Sequence, residues 1–173
     1  GFDRVSMGVQ SLDDDLLRAI GRRHTVAEAV EAYRALRTEF DNVSLDLMYG
    51  LPGQTLPQWQ QTLEAMMELH PEHLSAYILS YESGTRLTAM RDAGKLPRQD
   101  EQLVEQMYAA LCATAAAHGY DHYEISNFSL ASLHSRHNSA YWDFTPYLGL
   151  GPGAHSFDGV ATRRSNPWHL RKY

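Results

Sequence analysis

The stretch NVSLDLMYGLPGQT, Asn42–Thr55, decides the fold. Its first half alternates, with Val43, Leu45 and Leu47 on one side and Ser44, Asp46 and Met48 on the other. Alternation of this kind marks a β-strand. Its second half crowds glycine and proline into a tight turn, and Thr55 followed by Gln58 is a helix-capping pair. The helix opened there should run to about Leu69 and stop before Pro71. Strand, tight turn and capped helix in direct succession are the unit from which parallel sheets are built.

Working outward, RVSMGVQS upstream repeats the alternation, with Val5, Met7 and Val9 facing one way and Ser6, Gly8 and Gln10 the other. Ser11 with Asp14 reads as the cap of a short helix ending at Gly21. TVAEAVEAYRALRTEF opens on the capping box Thr25/Glu28 and carries an apolar stripe of Val26, Ala29, Val30, Tyr33 and Leu36. Downstream, HLSAYILSY is a third strand. Strands alternating with helices predict an α/β fold with parallel strands and helical crossovers. After Glu82 a short helix is expected in ESGTRLTAMRDAGKLP. A long amphipathic helix should follow from about Asp100 to His118, burying Leu103, Val104, Met107, Leu111 and Ala115. YDHYEIS reads as another strand, and from Asn127 onward the composition predicts mostly loop.

With 43% apolar residues in 173, the chain can bury a real core. A net charge of −6 without a Lys/Arg block argues against a nucleic-acid surface. The absence of a long apolar run argues against a membrane span. The single cysteine, Cys112, excludes an internal disulfide, points to a reducing, cytoplasmic setting, and lies on a helical stripe as plain core. The chain starts at Gly1 in front of a strand-like run, as expected for a piece of a longer protein.

In a βα barrel the strand face not covered by helices points inward, and ligands collect at the C-terminal strand ends. Gln10 and Asp46 fall on that face. A buried carboxylate needs a donor, so Asp46 serves either a neighbouring loop or a ligand hydroxyl or amine. Arg22, just past Gly21, is either a solvated helix-end charge or a fork for a ligand carboxylate. GLPGQT lacks the Gly-Lys-Ser/Thr of a phosphate loop, and GLGPGAHS does not fit a dinucleotide fingerprint. His70 and His73 flank a turn and are expected in solvent, and Gly119 separates His118 from His122. With one cysteine and no HExxH or CxxC, no metal site is expected from these residues alone. HSRHNSAYW, His134–Trp142, could stack on a flat ring, ligate a metal or close a core.

Taken together, DRVSMGVQS, SLDLMYGLPGQT, HLSAY, GYDHYEISNF, RHNSAYW and YLGLGPGAHS resemble the HemW-type radical SAM proteins. These are haem chaperones related to the HemN-type oxygen-independent coproporphyrinogen III oxidases. The resemblance implies the C-terminal half of a radical SAM (βα)6 partial barrel, with its last three βα units in residues 1–82. Residues 83–173 would be a post-barrel segment leading toward a C-terminal domain that begins near Trp168. It implies S-adenosylmethionine (SAM) and a [4Fe–4S] cluster at the strand ends. By position, Gln10, Arg22 and Asp46 match SAM contacts, with Ser80 and His155 at further positions near SAM. The family's CxxxCxxC cluster loop and GGGTPS stretch are absent, and Cys112 lies on the wrong element, so cluster ligands are expected outside this fragment.

The pattern HNxxYW, met by His137, Asn138, Tyr141 and Trp142, belongs to the chaperone side of the family and implies haem contacts. An imidazole ligates haem iron and aromatic rings pack on a porphyrin. The alternative is that Tyr141 and Trp142 close the barrel end while His137 and Asn138 pin a loop. Where some members carry a cysteine, this chain has Ser135, which removes a soft ligand. The function implied is a haem chaperone with haem or porphyrin, haem-receiving proteins and a second copy of itself as partners. The alternatives are coproporphyrinogen III oxidation and a βα enzyme unrelated to radical chemistry. The isolated fragment, with a bare strand edge and inward face, is expected to aggregate.

Overall fold

Parallel pairing joins β1 (Val5–Gln10) to β2 (Val43–Tyr49) and β2 to β3 (His73–Ile78), as the alternating stretches require. A computed structural model describes residues 2–173. The chain divides into two compact units, one ending at Leu133 and one spanning His134–Tyr173.

In the first unit the crossovers are α1 (Asp14–Ala19) with α2 (Val26–Leu36), then α3 (Leu56–Glu68). Both expected capping boxes are present, Thr25 with Glu28 and Thr55 with Gln58. The cap of α1 is Asp13 rather than Ser11, because the Asp13 carboxylate accepts the Asp15 and Leu16 amides while the Ser11 hydroxyl accepts the Asp13 amide. Beyond β3 come α4 (Arg86–Asp92), α5 (Glu101–Ala117), β4 (Asp121–Glu124) and β5 (Asn127–Ser129). The short strand β5 departs from the loop expected after Asn127. It turns back from β4 and inserts antiparallel beside β3, giving the sheet order β1-β2-β3-β5-β4.

One sheet face is apolar and lies under the helices. Leu45, Leu47, Leu74 and Phe128 meet Trp59, Leu63 and Met66 of α3 and Met107 and Leu111 of α5, all sealed from water. The buried Trp59 indole N–H donates to the Met107 carbonyl at 2.8 Å, tying α3 to α5. Cys112 is partly buried and packs against this core. Gln99 closes the C-terminal end by donating to the Gly50 and Leu79 carbonyls at 3.2 and 3.3 Å. Gly50 has φ +68°, and a Cβ there would sit 2.7 Å from the Gln99 amide nitrogen, so any other residue would be strained and would displace Gln99.

The second unit holds α6 (Arg136–Trp142) and a hairpin of β6 (His155–Phe157) with β7 (Arg163–Ser165). It too departs from the expected loop. Ser135 is the cap of α6, its buried hydroxyl accepting the Asn138 amide at 3.3 Å. Serine at a position weighed as a lost soft ligand thus has a local reason, since a hydroxyl is a strong helix cap.

Candidate functional site

Cross-strand partners share a sheet face, so the register defines what lies opposite the helices. One tier runs Ser6, Ser44, His73, Ser129, Asp121 across the five strands, and the next runs Gly8, Asp46, Ser75, Asn127, Glu124. Every member is polar or glycine. Stacked inward tiers of this kind fill a barrel interior, and here they make a polar wall.

In the first tier hydrogen bonds run through His73, while the buried Ser129 hydroxyl has no partner among the described residues. Ser44 Oγ lies 2.8 Å from His73 Nδ1, and His73 Nε2 lies 2.7 Å from the Tyr123 hydroxyl. His73 is fully buried, so its expected place in solvent is wrong, while His70 is exposed. The turn at Pro71 ends one residue earlier than the histidine pair suggests. Glu72 fixes the strand entry: its carboxylate accepts the Val43 amide at 3.1 Å and pairs with Arg37 at 2.6 Å. His73 therefore begins β3.

In the second tier Ser75 donates to Asn127 Oδ1 at 2.7 Å, and the Asn127 amide donates to Glu124. Asp46 accepts the Ser6 hydroxyl at 3.1 and 3.3 Å. Burial pushes the Asp46 carboxyl above its ordinary range, against the opposing pull of the Ser6 and Ser75 hydroxyls and the Arg4 charge. The Asp46 carboxyl is thus held partly out of water, with the Ser6 hydroxyl as its donor.

Gln10 ends β1 at a bulge, with φ +70° in the left-handed region, and is buried. Its amide folds over Gly8, where an added Cβ would lie 2.4 Å from Gln10 Nε2. Bulges of this kind re-aim a side chain, and this one sets the Gln10 amide above the tier of Asp46. Arg22 follows Gly21 and is exposed. Ser80, past the end of β3, donates to Glu82 at 2.5 Å and is exposed. His155 is exposed at the start of β6, in the second unit.

In α6, His137 and Tyr141 stand one turn apart with Nε2 and the hydroxyl 3.2 Å apart and their rings edge-on at 5.1 Å. Tyr141 meets the Tyr147 ring at 4.8 Å. Asn138 is half-buried, Tyr141 is 40% exposed and Trp142 is 54% exposed. Sequence reading missed His73, Tyr123, Ser6 and Arg4. Ser6 was visible as a strand neighbour of Asp46, but Tyr123 is brought in only by the β4–β5 return.

Among the described residues no three or more His, Cys, Asp or Glu side chains gather as a metal site. Cys112 sits on α5 with Sγ 3.9 Å from His122 Nδ1. These residues do not fit a [4Fe–4S] cluster, whereas the Asp46 carboxylate and the Gln10 amide are groups that pair with hydroxyls and amines.

Residues 1–66 match the Radical SAM superfamily model. Haem chaperone HemW of Bacillus subtilis is 39% identical over 174 aligned positions, 100% of this chain and 46% of that protein. Mouse radical S-adenosyl methionine domain-containing protein 1, mitochondrial, is 41% identical over 156 positions, 90% of this chain and 35% of that protein. The solved structure of Escherichia coli coproporphyrinogen III oxidase HemN, a radical SAM enzyme, matches with TM-score 0.76 and 25% identity. That match covers all of this chain and 42% of the enzyme. The parallel α/β framework with its polar inner wall is therefore a partial radical SAM barrel, and the chain belongs to the radical SAM superfamily. Within it, the chain is a segment of the HemW type, and it spans about half the length of the curated HemW relatives it matches. No helix among the described residues is long and apolar enough to cross a membrane.

Proposed function

We propose that this chain is the SAM-facing and haem-contacting part of a haem chaperone. The observation that carries the reading is the α6 surface, where an exposed imidazole stands against Tyr141 beside the half-exposed Trp142. Its support is the likeness over the whole chain to a haem chaperone. His137 is the iron ligand, and Asn138, Tyr141 and Trp142 complete the contact. In residues 1–82, the last three βα units, Asp46 accepts ligand hydroxyls or an amine, Gln10 adds an amide and Arg22 reaches a carboxylate. Ser80 and His155 stand at further SAM positions. A SAM–cluster pair supplies one-electron chemistry when bound, and the cluster's ligands lie outside these residues. Residues 83–173 lead toward a further domain. The protein works in the cytoplasm, hands haem to receiving proteins and self-associates.

Titrating the full-length protein with haemin tests this directly. His137→Ala should bind at least about tenfold more weakly and lose the imidazole-ligated absorption spectrum. Equal binding and an unchanged spectrum would refute the ligand role. The second reading, coproporphyrinogen III oxidase, is favoured by the backbone match to HemN. Anaerobic turnover of coproporphyrinogen III with SAM and reductant would establish it in place of the first.

A further inference from the structure

We propose that Arg163 and Arg164 form a carboxylate-binding subsite for a flat apolar ring ligand seated on the aromatic surface of the second unit. The proposal deepens the haem reading and rests on it, assigning the part of that site that grips the ring's acid side chains rather than its iron. A cavity of about 470 Å³ opens there, lined by Tyr147, Leu148, Ser156, Phe157 and Arg164 among others. That volume lies in the ordinary range of small-molecule sites. Ring contacts connect it to the imidazole: His137 to Tyr141 at 5.1 Å, Tyr141 to Tyr147 at 4.8 Å, Tyr147 to Phe157 at 6.1 Å. Ring contacts therefore link the iron-ligand candidate to the β6–β7 hairpin.

At the far end of this path stand two cations. The Arg163 guanidinium lies 5.0 Å over the Phe157 ring and donates to the Tyr147 hydroxyl at 3.4 Å. Arg164 pairs in register with Ser156 and lines the cavity. Successive strand residues face opposite ways, so Arg164 lies with Ser156 on the cavity lining and Arg163 with Phe157 on the other side of the hairpin, and each offers one fork to one acid group. Neither arginine forms an ion pair among the described residues. The acid in the cavity wall, Asp158, is already engaged. Its Oδ1 accepts the amides of Val160, Ala161 and Thr162 at 2.8, 3.0 and 3.0 Å, which hold the carboxyl well below the usual carboxylate range. Two exposed, planar donor forks beside an aromatic cavity suit carboxylates, because each fork can grip two oxygens at once.

The test uses the full-length protein at low ionic strength with metal-free protoporphyrin IX and its dimethyl ester, read by fluorescence. Wild type should bind the diacid about tenfold or more tighter than the ester. The double variant Arg163→Gln, Arg164→Gln should lose that preference while binding the ester as wild type does, and Arg→Lys at both positions should restore part of it. Equal diacid binding by wild type and the Gln variant would overturn the proposal, as would a parallel loss of diacid and ester, or no diacid binding by wild type. Because the probe carries no iron, the outcome is separable from the His137 claim. If His137→Ala leaves haemin binding unchanged while the acid preference persists, the iron-ligand reading falls and this subsite stands.

Discussion

Replacing His73 by phenylalanine probes the polar wall where it is most tightly closed. The imidazole is fully buried and bonds Ser44 Oγ at 2.8 Å and the Tyr123 hydroxyl at 2.7 Å. Phenylalanine keeps a planar ring, somewhat larger than imidazole, and removes both bonds. Ser44 is sealed from water, so its orphaned hydroxyl costs about 1–3 kcal/mol. Tyr123 is half-buried and can turn to water, so its loss is nearer the net worth of an ordinary bond, about 1 kcal/mol. His73→Phe should therefore destabilise the full-length protein by about 3 kcal/mol, and Ser44→Ala alone by about 1–2 kcal/mol. Ser44→Ala also removes the group that His73→Phe orphans, so the double variant should fall short of the sum by about 1–2 kcal/mol. Urea unfolding followed by circular dichroism and fluorescence supplies the cycle, provided the two probes coincide. Additivity within about 0.5 kcal/mol, or a cost of His73→Phe below about 1 kcal/mol, would refute the buried chain.

Trp59→Phe should lower stability by about 2–3 kcal/mol, because it removes the bond to Met107 and leaves a small void, and an unchanged urea midpoint would disprove the α3–α5 tie. Gly50→Ala should cost about 1–3 kcal/mol by strain at φ +68° and displacement of Gln99, read as a lowered melting temperature. The raised pKa of Asp46 means that ionising it opposes folding. Its contribution is fully present below the ordinary value of 3.8 and is lost as pH rises through the higher folded value. Asp46→Asn should therefore gain stability relative to wild type as pH climbs above 3.8, and a pH-independent difference in melting temperature would refute the desolvation of this group.

The three parallel strands, their helices and the polar inner face were legible because alternation and capping pairs are local signals. Thr25/Glu28 and Thr55/Gln58 form the boxes their spacing announces. What escaped was set at long range. Phe128 and its neighbours form β5 only because the chain doubles back from β4 and finds a free edge on β3. A three-residue strand carries too little pattern to stand out in a glycine- and serine-rich stretch. His73 was misread because a histidine after proline looks solvated, whereas the Glu72 contacts with Val43 and Arg37 start the strand there. The α6 helix is only seven residues long, so its local signals are the Ser135 cap and the one-turn spacing of His137 and Tyr141 rather than an extended apolar stripe.

Asp46 is the residue on which the SAM-facing role of the inner wall rests. Ionising a carboxyl that burial has shifted upward lowers the stability of the fold, a cost that a ligand-binding role would explain. Equilibrium SAM binding to the cluster-loaded full-length protein, wild type against Asp46→Asn, measures that role most directly. Affinity should be lower by about tenfold or more in the variant, with a melting temperature at neutral pH no lower than wild type. Wild-type SAM affinity in Asp46→Asn would contradict that role.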